Sequence, residues 1–179
     1  MAMHVNPMRA PDRQVRYLEV HWDIFGELCR ALALRVARDY DPEIVVGIAR
    51  TGVIPGAVVA SILRREFHSI LVSRKEGEDR VRERPEVLSA APDRLRGHRV
   101  LLVDEVTTSG DTMRLALAAL RDVSPSEIRT ATAFVRPGGY RPDYHALETD
   151  EVIILPWDRK VFEEGQLVVN PLYEAVLDE

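Results

Sequence analysis

Residues 100–112 read VLLVDEVTTSGDT. The apolar run around Val100–Val103 suits a strand buried on both faces. It delivers two acids, Asp104 and Glu105, to its carboxyl end. Thr107, Thr108, Ser109, Gly110, Asp111 and Thr112 then lead into Met113, Leu115, Ala116, Leu117 and Leu120, whose spacing predicts a helix over 112–122. Gly110 permits a tight backbone there. Hydroxyls and unpaired N–H groups at a helix start, reinforced by the positive end of the helix dipole, make a phosphate site. The acids just upstream can accept hydrogen bonds from vicinal hydroxyls. Together the two halves describe a ligand that is a sugar phosphate. A capped helix after a strand, with solvated acids, would account for either half alone.

Outward from this run, strands alternate with helices. Trp22, Phe25, Leu28, Cys29, Leu32 and Val36 recur in steps of three and four, one face of a helix that ends near Tyr40. IVVGI at 44–48 reads as a buried strand, AVVASILRRE as a helix, and SILVS at 69–73 as a second strand. IRTATAFV at 128–135 and EVIIL at 151–155 read as further strands, and LYEAVLD as a short terminal helix. Residues 74–98 are highly charged, with two prolines and two glycines. Such a segment inside a compact domain reads as a mobile functional loop. This alternation predicts an α/β fold with a mostly parallel central sheet and helices on both faces. Ligands then bind at the carboxyl ends of the strands. Ala49-Arg50-Thr51-Gly52, after the first of these strands, is a second anion site by that logic, and by itself also a plain strand-to-helix turn.

Composition sets the outer bounds. The 179 residues suffice for one domain with a real core. A net charge of -5 argues against a general nucleic-acid surface. The single cysteine, Cys29, sits among apolar helix positions and reads as a buried inert thiol. No apolar run approaches the roughly 20 residues of a membrane span, and residues 1–13 lack the apolar stretch of a secretory signal. These features predict a cytoplasmic protein with a flexible arm over 1–15 and one domain over 16–179.

Four segments in order, YLEVHWD (17–23), GIARTGVIPG (47–56), VLLVDEVTTSGDT (100–112) and PWD (156–158), carry a family resemblance. The chain resembles type I phosphoribosyltransferases over roughly residues 16–165, and is most similar to their purine branch, which handles xanthine, guanine and hypoxanthine. The resemblance implies that fold, with a small hood element built from the N- and C-terminal segments. It implies transfer of phosphoribosyl from phosphoribosyl pyrophosphate (PRPP) to a ring nitrogen of a nucleobase, releasing pyrophosphate, with Mg2+ as cofactor. A PRPP- or nucleotide-sensing regulator without turnover, or a transferase for a non-purine acceptor, are the alternatives.

Residue by residue, the resemblance assigns Asp104 and Glu105 to the ribose hydroxyls and the metal's surroundings, reached through PRPP or water. Thr108–Thr112 match the 5'-phosphate loop, with Thr107 beside them in the PRPP-binding set, and Arg50, Thr51 and Gly52 the pyrophosphate loop. The charged stretch of about 74–96 matches a loop that closes over the site. Within it Arg74 and Lys75 are expected to meet pyrophosphate, so Asp104, Glu105, Arg74 and Lys75 form the expected catalytic set. Arg136, Val152 and Ile153 match base-binding positions, though the last two also read as ordinary strand core. Four residues depart from the family's usual pattern: Thr108 and Glu105 where Asp is usual, Thr51 where Gly is frequent, and Arg136 where a Lys is expected. With no acid at 108, xanthine is the expected base, then hypoxanthine or guanine, with adenine last. The expected partners are PRPP and a nucleobase, with no nucleic acid or membrane, and a homodimer or higher homo-oligomer.

Overall fold

A computed structural model describes residues 15–76 and 80–177, with side chains at all of them except 74–76 and 80–84. Nearly all of the arm expected over 1–15 lies outside the described residues. Contacts divide the chain into two units, Trp22–Asp150 and a smaller one combining Met1–His21 with Glu151–Glu179. The smaller unit, like the expected hood element, is built from N- and C-terminal segments.

The smaller unit begins with β1 (Tyr17–Glu19). The larger unit then runs α1 (Trp22–Ala37), β2 (Ile44–Ala49), α2 (Val53–Leu63), β3 (Glu66–Glu76), β4 (Arg80–Val87), a 3-10 turn at Asp93–Leu95, β5 (Arg99–Thr107), α3 (Asp111–Asp122), β6 (Glu127–Val135) and β7 (Tyr144–Glu148). The smaller unit resumes with β8 (Val152–Ile154), β9 (Lys160–Glu163) and β10 (Gln166–Val169).

In the larger unit six strands lie in the order β4-β3-β2-β5-β6-β7. All adjacent pairs are parallel except β3 with β4. The sheet is buried on both faces, as its Val- and Ile-rich strands require. On one face Leu32, Ala33 and Val36 of α1 and Val59 and Ala60 of α2 pack on Val45, Leu101, Val103 and Ala131. On the other, Met113, Ala116 and Leu120 of α3 pack on Ile44, Val46, Val100 and Leu102. Cys29 is fully buried on the inner face of α1, and desolvation pushes its thiol up to about 12. Such a thiol forms no thiolate at neutral pH and is inert, as its apolar neighbours suggest.

Three segments differ from the sequence reading. The charged stretch is not a structureless loop, because β3 runs on to Glu76 and pairs antiparallel with β4. Backbone hydrogen bonds hold this ribbon without any apolar run. Pro85 is tolerated because β4 is an edge strand. The terminal helix does not form. Residues 171–176 make successive turns, with the N–H groups of Tyr173, Val176 and Leu177 bonded to Asn170 and Tyr173 carbonyls at 2.8–2.9 Å. Seven residues are too few to offset the cost of nucleating a helix. Finally, β8 pairs with β1 in a two-stranded sheet of its own. The smaller unit also contains a β9–β10 hairpin, whose turn residues Glu164 and Gly165 both have positive φ, 48° and 86°. No helix among the described residues is long and apolar enough to cross a membrane.

Candidate active site

Chain direction reverses across the sheet between β2 and β5. From β2 the chain passes through α2 to β3 on one side, and from β5 through α3 to β6 on the other. A cleft opens at such a switch point. Here its cause is visible in the register. β2 and β5 pair only as far as Gly47 and Val103, while β5 stays paired with β6 through Thr107. Asp104–Thr107 therefore remain strand, four residues further than the sequence suggested, yet lose a neighbour on one side.

Two cavities occupy this opening. One, of about 580 Å³, is lined by Asp104 and Val106 through Met113. The other, of about 240 Å³, is lined by Ile48, Ala49, Arg50, Thr51, Val72, Asp104, Glu105, Val106 and Thr112. Asp104, Val106 and Thr112 border both. The two turns singled out in the sequence thus meet around one carboxylate.

Both turns end in a helix start capped by glycine. Gly52 caps α2 and Gly110 caps α3, so neither cap residue has a side chain to bond the first turn, although Ser109 Oγ accepts the Asp111 N–H of α3 at 3.4 Å. In α2 the Ile54 N–H is already bonded to the Thr51 carbonyl at 3.1 Å and Pro55 has none, so what both starts offer an anion is chiefly the positive end of the helix dipole. Gly110 sits at φ 81°, where a side chain is strained. Ser109 Oγ bonds Asp111 Oδ2 at 3.0 Å and tightens the turn.

Asp104 is half-buried, and its Oδ1 accepts the Glu105 N–H at 2.8 Å. Desolvation raises its carboxyl to about 6, against a smaller lowering by that hydrogen bond. Glu105 is also half-buried, while Arg50 and Thr51 are exposed at the mouth. Gly52 lies directly against Asp104: a Cβ there would stand 2.8 Å from Oδ1 and 2.9 Å from Cα.

Arg136 follows β6 at the same sheet edge, its N–H bonded to the Thr107 carbonyl at 3.2 Å. Its guanidinium donates to the Asp150 carbonyl at 3.0 Å. At Gly139 the backbone passes close over the Thr108–Gly110 turn, since a Cβ there would lie 2.4 Å from the Thr108 carbonyl. Arg74 and Lys75 lie in β3, at an irregularity in its pairing with β4, and their side chains are outside the described set. Val152 and Ile153 are half-buried in β8 of the smaller unit. Two residues not anticipated, Arg114 and Tyr140, hold the Thr108 and Ser109 carbonyls from outside the turn. Their only sequence signal was the glycine pair before Tyr140 and a cation one turn into α3. Among the described residues no cluster of three or more His, Cys, Asp or Glu side chains could hold a metal by itself.

Comparison with known proteins agrees with this geometry. Xanthine-guanine phosphoribosyltransferase of Nitratidesulfovibrio vulgaris is 29% identical over 171 residues, covering 92% of this chain and 98% of the relative. The enzyme of the same name from Cereibacter sphaeroides is 32% identical over 150 residues, 78% of this chain and 85% of its own. The crystal structure of a purine phosphoribosyltransferase from Pyrococcus horikoshii superimposes with a TM-score of 0.71 at 26% identity, covering 84% of this chain and 99% of that one. The phosphoribosyl transferase domain matches residues 20–167, and the chain belongs to that family.

Proposed function

We propose that this protein transfers phosphoribosyl from PRPP to a 6-oxopurine, releasing pyrophosphate, in purine salvage. The observation that carries this reading is the meeting of two glycine-capped helix starts and two cavities around Asp104. One anion site suits the 5'-phosphate and the other the pyrophosphate, with the acids between them for the ribose hydroxyls. As charge develops on the ribose and on the leaving pyrophosphate, fixed dipoles and cations supply the stabilisation. Arg50, at the mouth of the smaller cavity, is placed to meet pyrophosphate, as Arg74 and Lys75 are by resemblance.

The hard oxygen donors of Asp104 and Glu105 fit Mg2+, which takes few protein ligands and keeps substrate oxygens or water for the rest. When bound, the ion would neutralise charge on the pyrophosphate. Two acids rather than a three-ligand cluster agree with a metal that arrives with its substrate. PRPP with Mg2+ should therefore raise the melting temperature, and PRPP alone should do so less. Ligand at one hundred times its Kd stabilises by about 2.7 kcal/mol. No shift at millimolar PRPP with Mg2+ would remove the basis of the reading.

The β3–β4 ribbon is proposed to close over bound PRPP and exclude water, which protects the activated ribose from hydrolysis. Hydrogen exchange over about 74–96 should slow on adding PRPP and Mg2+. Equal protection in both states would contradict closure.

Arg136 is proposed to set base choice. One of its five N–H donors is engaged by the Asp150 carbonyl, which fixes the plane of the guanidinium. Having donors and no acceptor, it suits an oxo group and disfavours the amine of adenine. Thr108 cannot take a proton from the purine, so xanthine, the most acidic of the common purines, should be used best. Hypoxanthine or guanine should follow, with adenine last. In Arg136→Ala the xanthine-to-adenine ratio of kcat/KM should fall by about tenfold or more, as for a lost charged hydrogen bond. An unchanged ratio would place base selection elsewhere. A base-packing role for Val152 and Ile153 rests on the resemblance alone.

A further inference from the structure

We propose that Arg114 and Tyr140 form a clamp on the outside of the phosphate loop and set affinity for the 5'-phosphate without touching it. This rests on the phosphoribosyl reading for the identity of the ligand, though not for the clamp itself.

Two consecutive carbonyls of the loop are held from outside. The Thr108 carbonyl accepts the Tyr140 N–H at 2.8 Å, and the Ser109 carbonyl accepts Arg114 Nη1 at 2.8 Å. A peptide unit is planar and trans, so its N–H points opposite to its C=O. Fixing those two carbonyls therefore fixes the N–H groups of Ser109 and Gly110 in the opposite sense. Ser109 and Gly110 line the 580 Å³ cavity, whereas Arg114 and Tyr140 do not. The clamp thus aims the donors that an anion would meet while standing behind them.

The clamp is also braced within itself. The Arg114 guanidinium lies over the Tyr140 ring, 5.1 Å from its centroid, a cation–π geometry. Arg114 pairs with Asp111 at 3.3 Å as well. That pairing offsets a carboxylate in the first turn of α3, beside the place an anion would occupy. Two glycines allow the close approach. A Cβ on Gly110 would lie 2.3 Å from Tyr140 Cβ, and one on Gly139 would lie 2.4 Å from the Thr108 carbonyl. No interaction of the Tyr140 hydroxyl is involved, so the ring alone should suffice.

The test compares Tyr140→Ala, Arg114→Ala and Tyr140→Phe with the unaltered protein. Binding of PRPP, a purine nucleoside 5'-monophosphate and pyrophosphate is measured with Mg2+. Amide hydrogen exchange is followed over 107–112 without ligand. Arg114→Ala, which removes the bond to the Ser109 carbonyl, should weaken PRPP and the nucleotide by about tenfold or more. Tyr140→Ala keeps its main-chain N–H and removes only the ring under the guanidinium, so it should weaken both in the same direction by about threefold. Pyrophosphate affinity and the KM for the base should stay within about twofold. Exchange over 107–112 should accelerate in both alanine variants, and Tyr140→Phe should match the unaltered protein in every arm. Unchanged loop exchange, or PRPP affinity within about twofold, overturns the clamp. So does equal weakening of pyrophosphate with faster exchange across β2 and β5, which would mark a general loss of structure. If the unaltered protein binds neither phosphate ester, the phosphoribosyl reading fails. The ligand-free exchange arm then still decides whether these residues order the loop.

Discussion

Asp104→Asn should lower kcat/KM by about 10²–10³-fold, the scale for removing one preorganised electrostatic group, while leaving the fold at least as stable. The carboxylate borders both cavities, so under the proposed function its charge would serve the ribose and the metal together. Its folded value, raised to about 6 by burial, lies above the ordinary 3.8. The fold therefore favours the protonated form. Stability from this group is complete below about pH 4 and is lost as pH rises through about 6. At neutral pH the ionised carboxylate strains the fold, and Asn removes that strain. The gain should be on the order of 1–2 kcal/mol, reduced from the full shift because the side chain is partly exposed. In the unaltered protein, kcat/KM reports the free enzyme and should fall on the acid side near pH 6. Full activity in Asp104→Asn would place the site elsewhere, and an unfolded variant would make the residue structural.

Gly52→Ala should be nearly as damaging to activity and should also destabilise. The added Cβ would stand 2.6 Å from the Ile48 carbonyl, 2.8 Å from Asp104 Oδ1 and 2.9 Å from Asp104 Cα. Two of these are backbone atoms of β2 and β5, which cannot swing aside as a side chain can. Overpacking of this kind costs about 1–3 kcal/mol. Relief would have to come from parting the Arg50–Gly52 turn and the acid-bearing strand, the two halves that act together in the proposed function. A displacement near 1 Å can cost about 10² in rate. Gly26→Ala is the contrast. Gly26 lies inside α1 with nothing within 4 Å of its Cβ position, so alanine should stabilise by up to about 1 kcal/mol and leave activity unchanged. Equal effects at the two positions would show that the closeness of Gly52 to Asp104 has no functional weight.

The parts of the fold that were legible are those whose local chemistry has one solution. An apolar β-branched run such as IVVGI can be little else than a buried strand, and a Gly-containing hydroxyl turn before an amphipathic run marks a helix start. Both turns of the site were legible for this reason. The β3–β4 ribbon was not, because a run of consecutive charged residues gives no apolar period and its backbone pairing leaves no trace in composition. β7, reading YHALE, and β1, reading YLE, are too short to stand out. EVIIL was legible as a strand, but its pairing with β1 from the far end of the chain was not. The clamp was hidden for the same cause: Tyr140 reaches Thr108 and Gly110 only once β5 and β6 lie side by side.

The central claim is tested most directly by giving the purified protein PRPP, Mg2+ and one base at a time, and measuring pyrophosphate and nucleoside monophosphate together. Both products should appear in equal amounts, fastest with xanthine, more slowly with hypoxanthine or guanine and slowest with adenine. Their formation should be lost in Asp104→Asn. Binding of PRPP with no product from any of the bases would contradict a transferase and favour a sensor of the same ligand.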